Sequence, residues 1–214
     1  DRFWRPKIDD VNAWIKLAPD LPLLDVVKPI VLANNRWRCD HGWDIDLDDG
    51  SSWYRIYNNL LLNGGLKMRE GYDRIATNNI IINSGLHPHV WYPNSGDVFT
   101  NNIVFKTYSP ALMNKGIPTN GKWGKTLDSN FYVTGIGALK KFIANGCDSN
   151  SISGDADFIN PALGDYGLNT SSKARSIGFI PFRMDDFGVQ KASLKAFAKT
   201  PVFPAVNLVA DADR

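Results

Sequence analysis

Paired asparagines recur along the middle of this chain at a nearly constant interval. They stand at Asn34-Asn35, Asn58-Asn59, Asn78-Asn79 and Asn101-Asn102, separated by 24, 20 and 23 residues. Each of the last three pairs opens a short apolar run: LLL after Asn59, III after Asn79 and IVF after Asn102. A period of this length marks a solenoid, in which one repeat is one coil and no coil can bury its apolar face alone. The runs are too short for helices and suit short strands facing a shared core. Leucine-rich repeats have a similar period, but their spaced leucines and helical segment are missing. The pattern therefore predicts an all-β chain, a right-handed parallel β-helix.

The asparagines carry the same argument. Coils of a β-helix stack at strand spacing, about 4.8 Å. Identical residues at one corner then form a ladder, with side-chain amides hydrogen-bonded from coil to coil. Asn also tolerates the left-handed backbone that a tight corner demands.

At 214 residues the chain fits one domain with a sizeable core. Its net charge of +2 points to neither a nucleic-acid partner nor an anionic membrane surface. No apolar run approaches the roughly 20 residues of a membrane span, and no signal peptide is visible. The first residue is Asp1, so the sequence reads as a processed, trimmed or fragmentary product. The two cysteines, Cys39 and Cys147, allow at most one disulfide. Seven Trp and seven Tyr supply flat aromatic surface of the kind that stacks on sugar rings. Nothing in the sequence marks an oligomeric state.

The chain divides into three parts. Residues 1–28 lack the repeat and read as an N-terminal cap or the tail of a missing segment, with a short helix from Val11 to Leu17 broken by Pro19 and Pro22. Residues 29–134 hold the coils. Residues 135–214 hold a short helix, irregular last coils and a C-terminal strap. Within these parts, residues 107–130 are rich in Gly, Pro and Asn and predict a long loop. GIGALKKFIANG predicts a helix with Leu139, Phe142 and Ile143 on one side and Gly146 as its stop. SGDADFINPALGDYGLN predicts turns around a short strand. FGVQKASLKAFAKTPVFP predicts a helical patch with Leu194, Phe197 and Ala198 apolar, a cap or strap for the solenoid.

The chemistry concentrates between the Asn pairs. Aligning the coils on the pair that follows each, with a small gap for the Ser51-Ser52 insertion, puts Leu47, Met68 and Val90 in one inward row. Alternation then sends Asp46, Lys67 and His89 outward together, with Asp48, Arg69 and Trp91 as the next outward row and Glu70 at the strand end. Asp44, Asp46, Asp48 and Asp49 place four carboxylates within six residues, and on a strand the first three share a face. Such a cluster binds a cation, performs acid-base work or forms a solvated acidic face. An EF-hand is excluded, because positions six and twelve counted from Asp44 are Asp49 and Arg55 rather than Gly and Glu. Calcium in another geometry remains possible, though no cofactor is required. His41, His87 and His89 show no metal-ligand spacing. Asp97, in NSGD, reads as a turn residue or a third acid.

HGWDIDLDDGSS, GLKMREGY, HPHVW and NSGDVFTNNIVF resemble the parallel β-helix proteins of polysaccharide-degrading bacteria, especially secreted proteins of the Bacteroides group. The later GDADFINPALGDYGL and FRMDDFGVQKASLKAFAKTP are similar to the end of those proteins. The resemblance spans roughly residues 29–204, and those relatives extend further at the N-terminus. They sit near the β-helix glycoside hydrolases, the xylosidases of family 120 and the fucosidase/xylanase family 141. The resemblance implies a secreted or periplasmic enzyme acting on a plant or algal polysaccharide or its oligosaccharides. By position it implies Asp46 or Asp48 as nucleophile or water-activating base and Glu70 as proton donor. Lys67, Arg69, His87, His89 and Trp91 would hold the sugar. Two other functions fit the same residues. A calcium-assisted polysaccharide lyase would abstract the proton alpha to a uronate carboxylate with Lys67, Arg69 or His89. A non-catalytic solenoid would only bind glycans.

Overall fold

This computed structural model describes residues 8–20, 23–24, 26–89, 92, 95–108, 123–133, 143 and 146–197, with side chains from residue 13 onward. The chain is a parallel β-helix. The first coil runs through β1 (Ile30–Ala33), β2 (Arg36–Trp37) and β3 (Ile45–Leu47). The second repeats it as β4 (Tyr54–Tyr57), β5 (Leu60–Leu61) and β6 (Leu66–Met68), and the third as β7 (Ile75–Thr77), β8 (Ile80–Ile81) and β9 (Leu86–Pro88). The fourth contributes β10 (Val98–Thr100) and β11 (Ile103–Val104); β12 (Thr126–Asp128) and β13 (Phe131–Tyr132) begin a fifth. β14 (Ile152–Ser153) pairs with β13. Three parallel sheets result, in the orders β1-β4-β7-β10-β12, β2-β5-β8-β11-β13-β14 and β3-β6-β9.

The two asparagines of each pair divide the work at the corner between the first two sheets. The leading residue takes the left-handed backbone, with φ of 56° at Asn34, 54° at Asn58, 58° at Asn78 and 56° at Asn101. The second builds the ladder. Asn35, Asn59, Asn79 and Asn102 each donate Nδ2–H to the Oδ1 of the next rung, the last to Asn130, at 3.0–3.2 Å. Each of those Oδ1 atoms also accepts the backbone N–H of the rung before it. Rung by rung, a buried polar corner is satisfied without water.

That ladder extends one coil beyond its sequence signature. Ser129 replaces the leading asparagine at φ 55°, so the end of the predicted loop over 107–130 is a strand and a rung instead. Residues 109–122 lie outside the described residues. Ser can take the corner, and so the pair motif disappears from the sequence while its geometry persists.

The apolar triplets face two cores rather than one. Leu61, Ile81, Val104 and Tyr132 point into the solenoid with Ile56, Met68, Ala76, Phe99 and Leu127. Their neighbours Leu60, Leu62, Ile80, Ile82, Ile103 and Phe131 point outward into a second cluster, closed by Ala156, Tyr166, Leu168, Ala174, Ile177 and Phe179. A sheet covered on both faces needs no polar alternation, which is why LLL and III run unbroken. The cover is a C-terminal strap. It starts with an antiparallel hairpin of β15 (Phe158–Asn160) and β16 (Asp165–Leu168), where turns around one strand were expected. The corner asparagines pin it: Asn78 Nδ2 donates to the Ile180 carbonyl at 2.7 Å, Asn78 Oδ1 accepts the Ile180 N–H at 2.7 Å, and Asn101 donates to the Ile177 carbonyl.

Outside the coils, α1 (Ile8–Leu17) begins one turn earlier than expected, with Trp14 43% exposed. Leu139 and Phe142 of the predicted helix lie outside the described residues, as does Ala198. The helical turn α2 (Ala192–Lys195) leaves Leu194 56% and Phe197 87% exposed. Cys39 and Cys147 are not joined in a disulfide.

Candidate functional site

The third sheet carries the charged face. β3 and β6 pair Asp46 with Lys67 and Leu47 with Met68, as the alternation predicts. β6 and β9 then pair Lys67 with His87 and Met68 with Pro88. The third coil therefore enters the sheet two residues earlier than the expected register: His87, not His89, shares the row of Asp46 and Lys67. The coils keep step through the preceding corner, Asn63-Gly64-Gly65 against Asn83-Ser84-Gly85, and Leu66 pairs with Leu86. The extra residues of that repeat fall after β9, before Asp97, so counting back from the next Asn pair shifts the register. Val90 and Trp91, expected in the inward and outward rows, lie outside the described residues.

Within this face the acids and bases form one network. The Lys67 ammonium lies 2.8 Å from Asp46 Oδ1 and 3.1 Å from Asp48 Oδ1. Arg69 NH1 donates to Asp48 Oδ1 at 2.9 Å and stands 3.2 Å from Asp49. The Arg69 Nε approaches Glu70 Oε2 to 2.6 Å, yet the two atoms are misaligned for a hydrogen bond, so the contact is one of charge alone. The exposure is layered. Lys67 and Arg69 are 3% and 5% exposed, whereas the side chains of Asp46 and Asp48 are both 42% exposed. Burial works to raise the Asp48 carboxyl, but the hydrogen bonds and charges of Arg69 and Lys67 prevail and hold it below the usual carboxylate range.

Trp43 explains how the outward-facing ammonium of Lys67 becomes buried. Its indole lies under the Lys67 ammonium, 4.2 Å from the ring centre. Its edge meets the His87 ring at 6.2 Å and the His89 ring at 5.7 Å. Sequence reasoning missed Trp43; its signal was the aromatic three residues before Asp46, the acid of the strand. His87 shares a hydrogen bond with Ser84 Oγ at 2.8 Å. His89 is 5% exposed, and neither ring nitrogen has a hydrogen-bond partner among the described residues. Burial, then the charges of Lys67 and Arg69, push its imidazole below the ordinary histidine range, so it is neutral.

Two predicted acids serve the fold instead. Asp44 precedes β3 and does not share the face of Asp46 and Asp48. Its buried carboxylate accepts the backbone N–H groups of Cys39, Asn63, Gly64 and Gly65 at 2.6–3.0 Å. Burial raises this carboxyl against those four bonds. A Cβ at Gly64 would meet the Asp44 nitrogen at 2.3 Å, so only glycine fits the clamp. Asp97 is buried in a forked pair with Arg74, at 2.9 Å to Nε and 2.6 Å to NH2. Among the described residues, no three His, Cys, Asp or Glu side chains gather around one point. Calcium takes six to eight oxygens, and the carboxylates of Asp46 and Asp48 are already balanced by Lys67 and Arg69. The donor set that the described residues bring together here does not fit that ion.

No protein-family model, curated protein or solved structure matches this chain. Function has to be argued from the site itself. Among the described residues no helix is long and apolar enough to cross a membrane.

Proposed function

We propose that the chain is a carbohydrate-active β-helix enzyme, a glycoside hydrolase that works through paired carboxylates. One observation carries the reading: two exposed aspartates, Asp46 and Asp48, are presented on a bed of almost fully buried cations, with Glu70 on the next coil against the same arginine. A network that served stability alone gains little from leaving its acids open to solvent. Asp46 or Asp48 acts as nucleophile or water-activating base and Glu70 delivers the proton to the leaving oxygen. Lys67 and Arg69 keep Asp48 ionised and orient it, and His87 and His89 border the bound sugar. The resemblance of the HGWDIDLDDGSS and GLKMREGY segments to secreted bacterial β-helix proteins supports the same chemistry, and a secreted or periplasmic setting goes with it.

A lyase is the second reading, and His89 favours it. Lys67 and Arg69 are committed to carboxylates, so His89 is the base left uncommitted: its ring nitrogens are buried but have no hydrogen-bond partner among the described residues. It would take the proton alpha to a uronate carboxylate while the two cations offset that carboxylate's charge, with no calcium involved.

A product assay separates them. The chain is incubated with neutral and uronic-acid polysaccharides and their oligosaccharides, and new reducing ends are recorded together with ultraviolet-absorbing unsaturated ends. Reducing ends alone support the hydrolase; unsaturated ends sink it in favour of the lyase. Binding without either product identifies a glycan-binding solenoid.

A further inference from the structure

Beside the charged face, on the far edge of Trp43, the stacked corners between the second and third sheets enclose a hollow of about 510 Å³. That volume is in the range of small-ligand pockets. Its walls come from successive coils: His41 and Trp43, then Asn63, then Asn83 and His87, then Lys106 and Tyr108. Two features set it apart from the carboxylate face. It carries an ammonium and two imidazoles, and no Asp or Glu lines it among the described residues. It also presents aromatic surface from Trp43 with the amides of Asn63 and Asn83 around it.

We infer that this hollow is a subsite for an acidic sugar residue, one bearing a carboxylate or a sulfate. An aromatic floor and side-chain amides suit the ring and hydroxyls of a pyranose. A cationic lining without a carboxylate suits an anionic substituent and disfavours the hydroxyl-only sugars that acidic pockets grip. Trp43 is shared by the two places. Its ring carries Lys67 of the carboxylate network, and its edge meets His87 of the hollow. A chain seated here would put its acidic residue in the hollow and the adjoining linkage beyond Trp43, toward Asp46 and Asp48. The inference rests on the carbohydrate reading above and narrows its substrate to acidic glycans.

Calorimetric titration of the full chain tests it with three disaccharides of one linkage: neutral, uronate-bearing and sulfated. At low ionic strength at least one acidic disaccharide should bind tenfold or more tighter than the neutral one. Which of the two binds identifies the substituent. Lys106→Met, checked for an unchanged melting temperature, should bring the acidic and neutral affinities within about threefold, as expected when a single charge-assisted contact is lost. Lys106→Arg should keep the preference. Equal affinities for all three sugars, no binding at millimolar concentration, or a preference that survives Lys106→Met overturns the subsite. Turnover assays on the same sugars keep the two ideas distinct. Acid-selective binding without new reducing ends removes the hydrolase and leaves the subsite. Hydrolysis of neutral sugars without acid selectivity does the reverse.

Discussion

The Lys67 ammonium stands over the Trp43 indole, 4.2 Å from its centre, while it reaches Asp46 at 2.8 Å. Indole below and carboxylates beside it fix a cation that would otherwise swing freely on its four-carbon stem. A cation over an indole contributes about 0.5–2 kcal/mol, more as it loses water. Replacing Lys67 by Met keeps the stem and removes the charge, leaving Asp46 and Asp48 side by side without it. The expected loss is about 1–3 kcal/mol, below the 3–5 of a fully buried pair because the aspartates are half exposed. Asp48 should also titrate higher in Lys67→Met, readable by carbon NMR. An unchanged Asp48 midpoint would show that Arg69 alone holds it.

The carboxylates of the proposed mechanism should separate cleanly from those of the fold. Asp48→Asn and Glu70→Gln remove an acid-base group and should each lower turnover by about 10²–10⁴ while binding persists. Asp44→Asn should instead unfold or destabilise the chain, since it weakens a clamp on four backbone N–H groups. Activity assays paired with thermal melts read both. Turnover that survives in Asp46→Asn, Asp48→Asn and Glu70→Gln alike would discard the hydrolase mechanism.

How much of this was legible beforehand follows from where each signal sits in the chain. The ladder and the left-handed corner announce themselves because both need Asn, and one residue type repeated at one spacing survives in a single sequence. Asp46 against Lys67 was legible because the intervals to the following Asn pair, 12 and 11 residues, differ by a single residue that the Ser51-Ser52 insertion accounts for. The His87 row was not. Length between His89 and Asp97 varies at a corner, and a β-helix absorbs such insertions without moving its strands, so an alignment from the wrong end slips. The second core was hidden for another reason. Its cover, from Ala156 to Phe179, is remote in sequence and irregular, and only tertiary contact shows that LLL is buried on both faces. Trp43 belongs to the same class: its role exists only once Lys67 lies over its ring and His87 meets its edge.

The Asn ladder predicts a graded loss of stability along its length. Asn79 Nδ2 donates to the Ile56 carbonyl at 2.9 Å and to Asn102 at 3.0 Å, and its Oδ1 accepts from the backbone and side chain of Asn59 at 3.1 and 3.0 Å. Ala at this rung strands several buried groups, each worth about 1–3 kcal/mol, so the total should exceed that of any single hydrogen bond. Asn35→Ala removes an end rung that is only half buried and should lose about 1 kcal/mol. Denaturant unfolding of both variants checks the order. Equal losses would mean that the rungs do not act as one ladder.

His89 predicts a pH dependence of stability whose sign can be worked out. Its ring is buried beside Lys67 and Arg69, with Asp48 and Asp46 supplying a weaker opposite pull, and the balance sets its midpoint below the free value of 6.5. Between the folded midpoint and 6.5 the unfolded chain binds the proton and the folded chain does not. Stability therefore rises with pH through that window, is fully present above it, and is lost as the pH falls through the folded value. Asp48 shifts in the same direction, and its own window opens only below its free value of 3.8. His89→Gln keeps a polar side chain that does not titrate. Its melting temperature should run parallel to that of the wild type above neutrality and gain on it as the solution is acidified toward pH 5. A wild-type protein that instead gained stability relative to His89→Gln on acidification would show that the folded chain holds the imidazolium, and the neutral base required by the lyase reading would be lost with it.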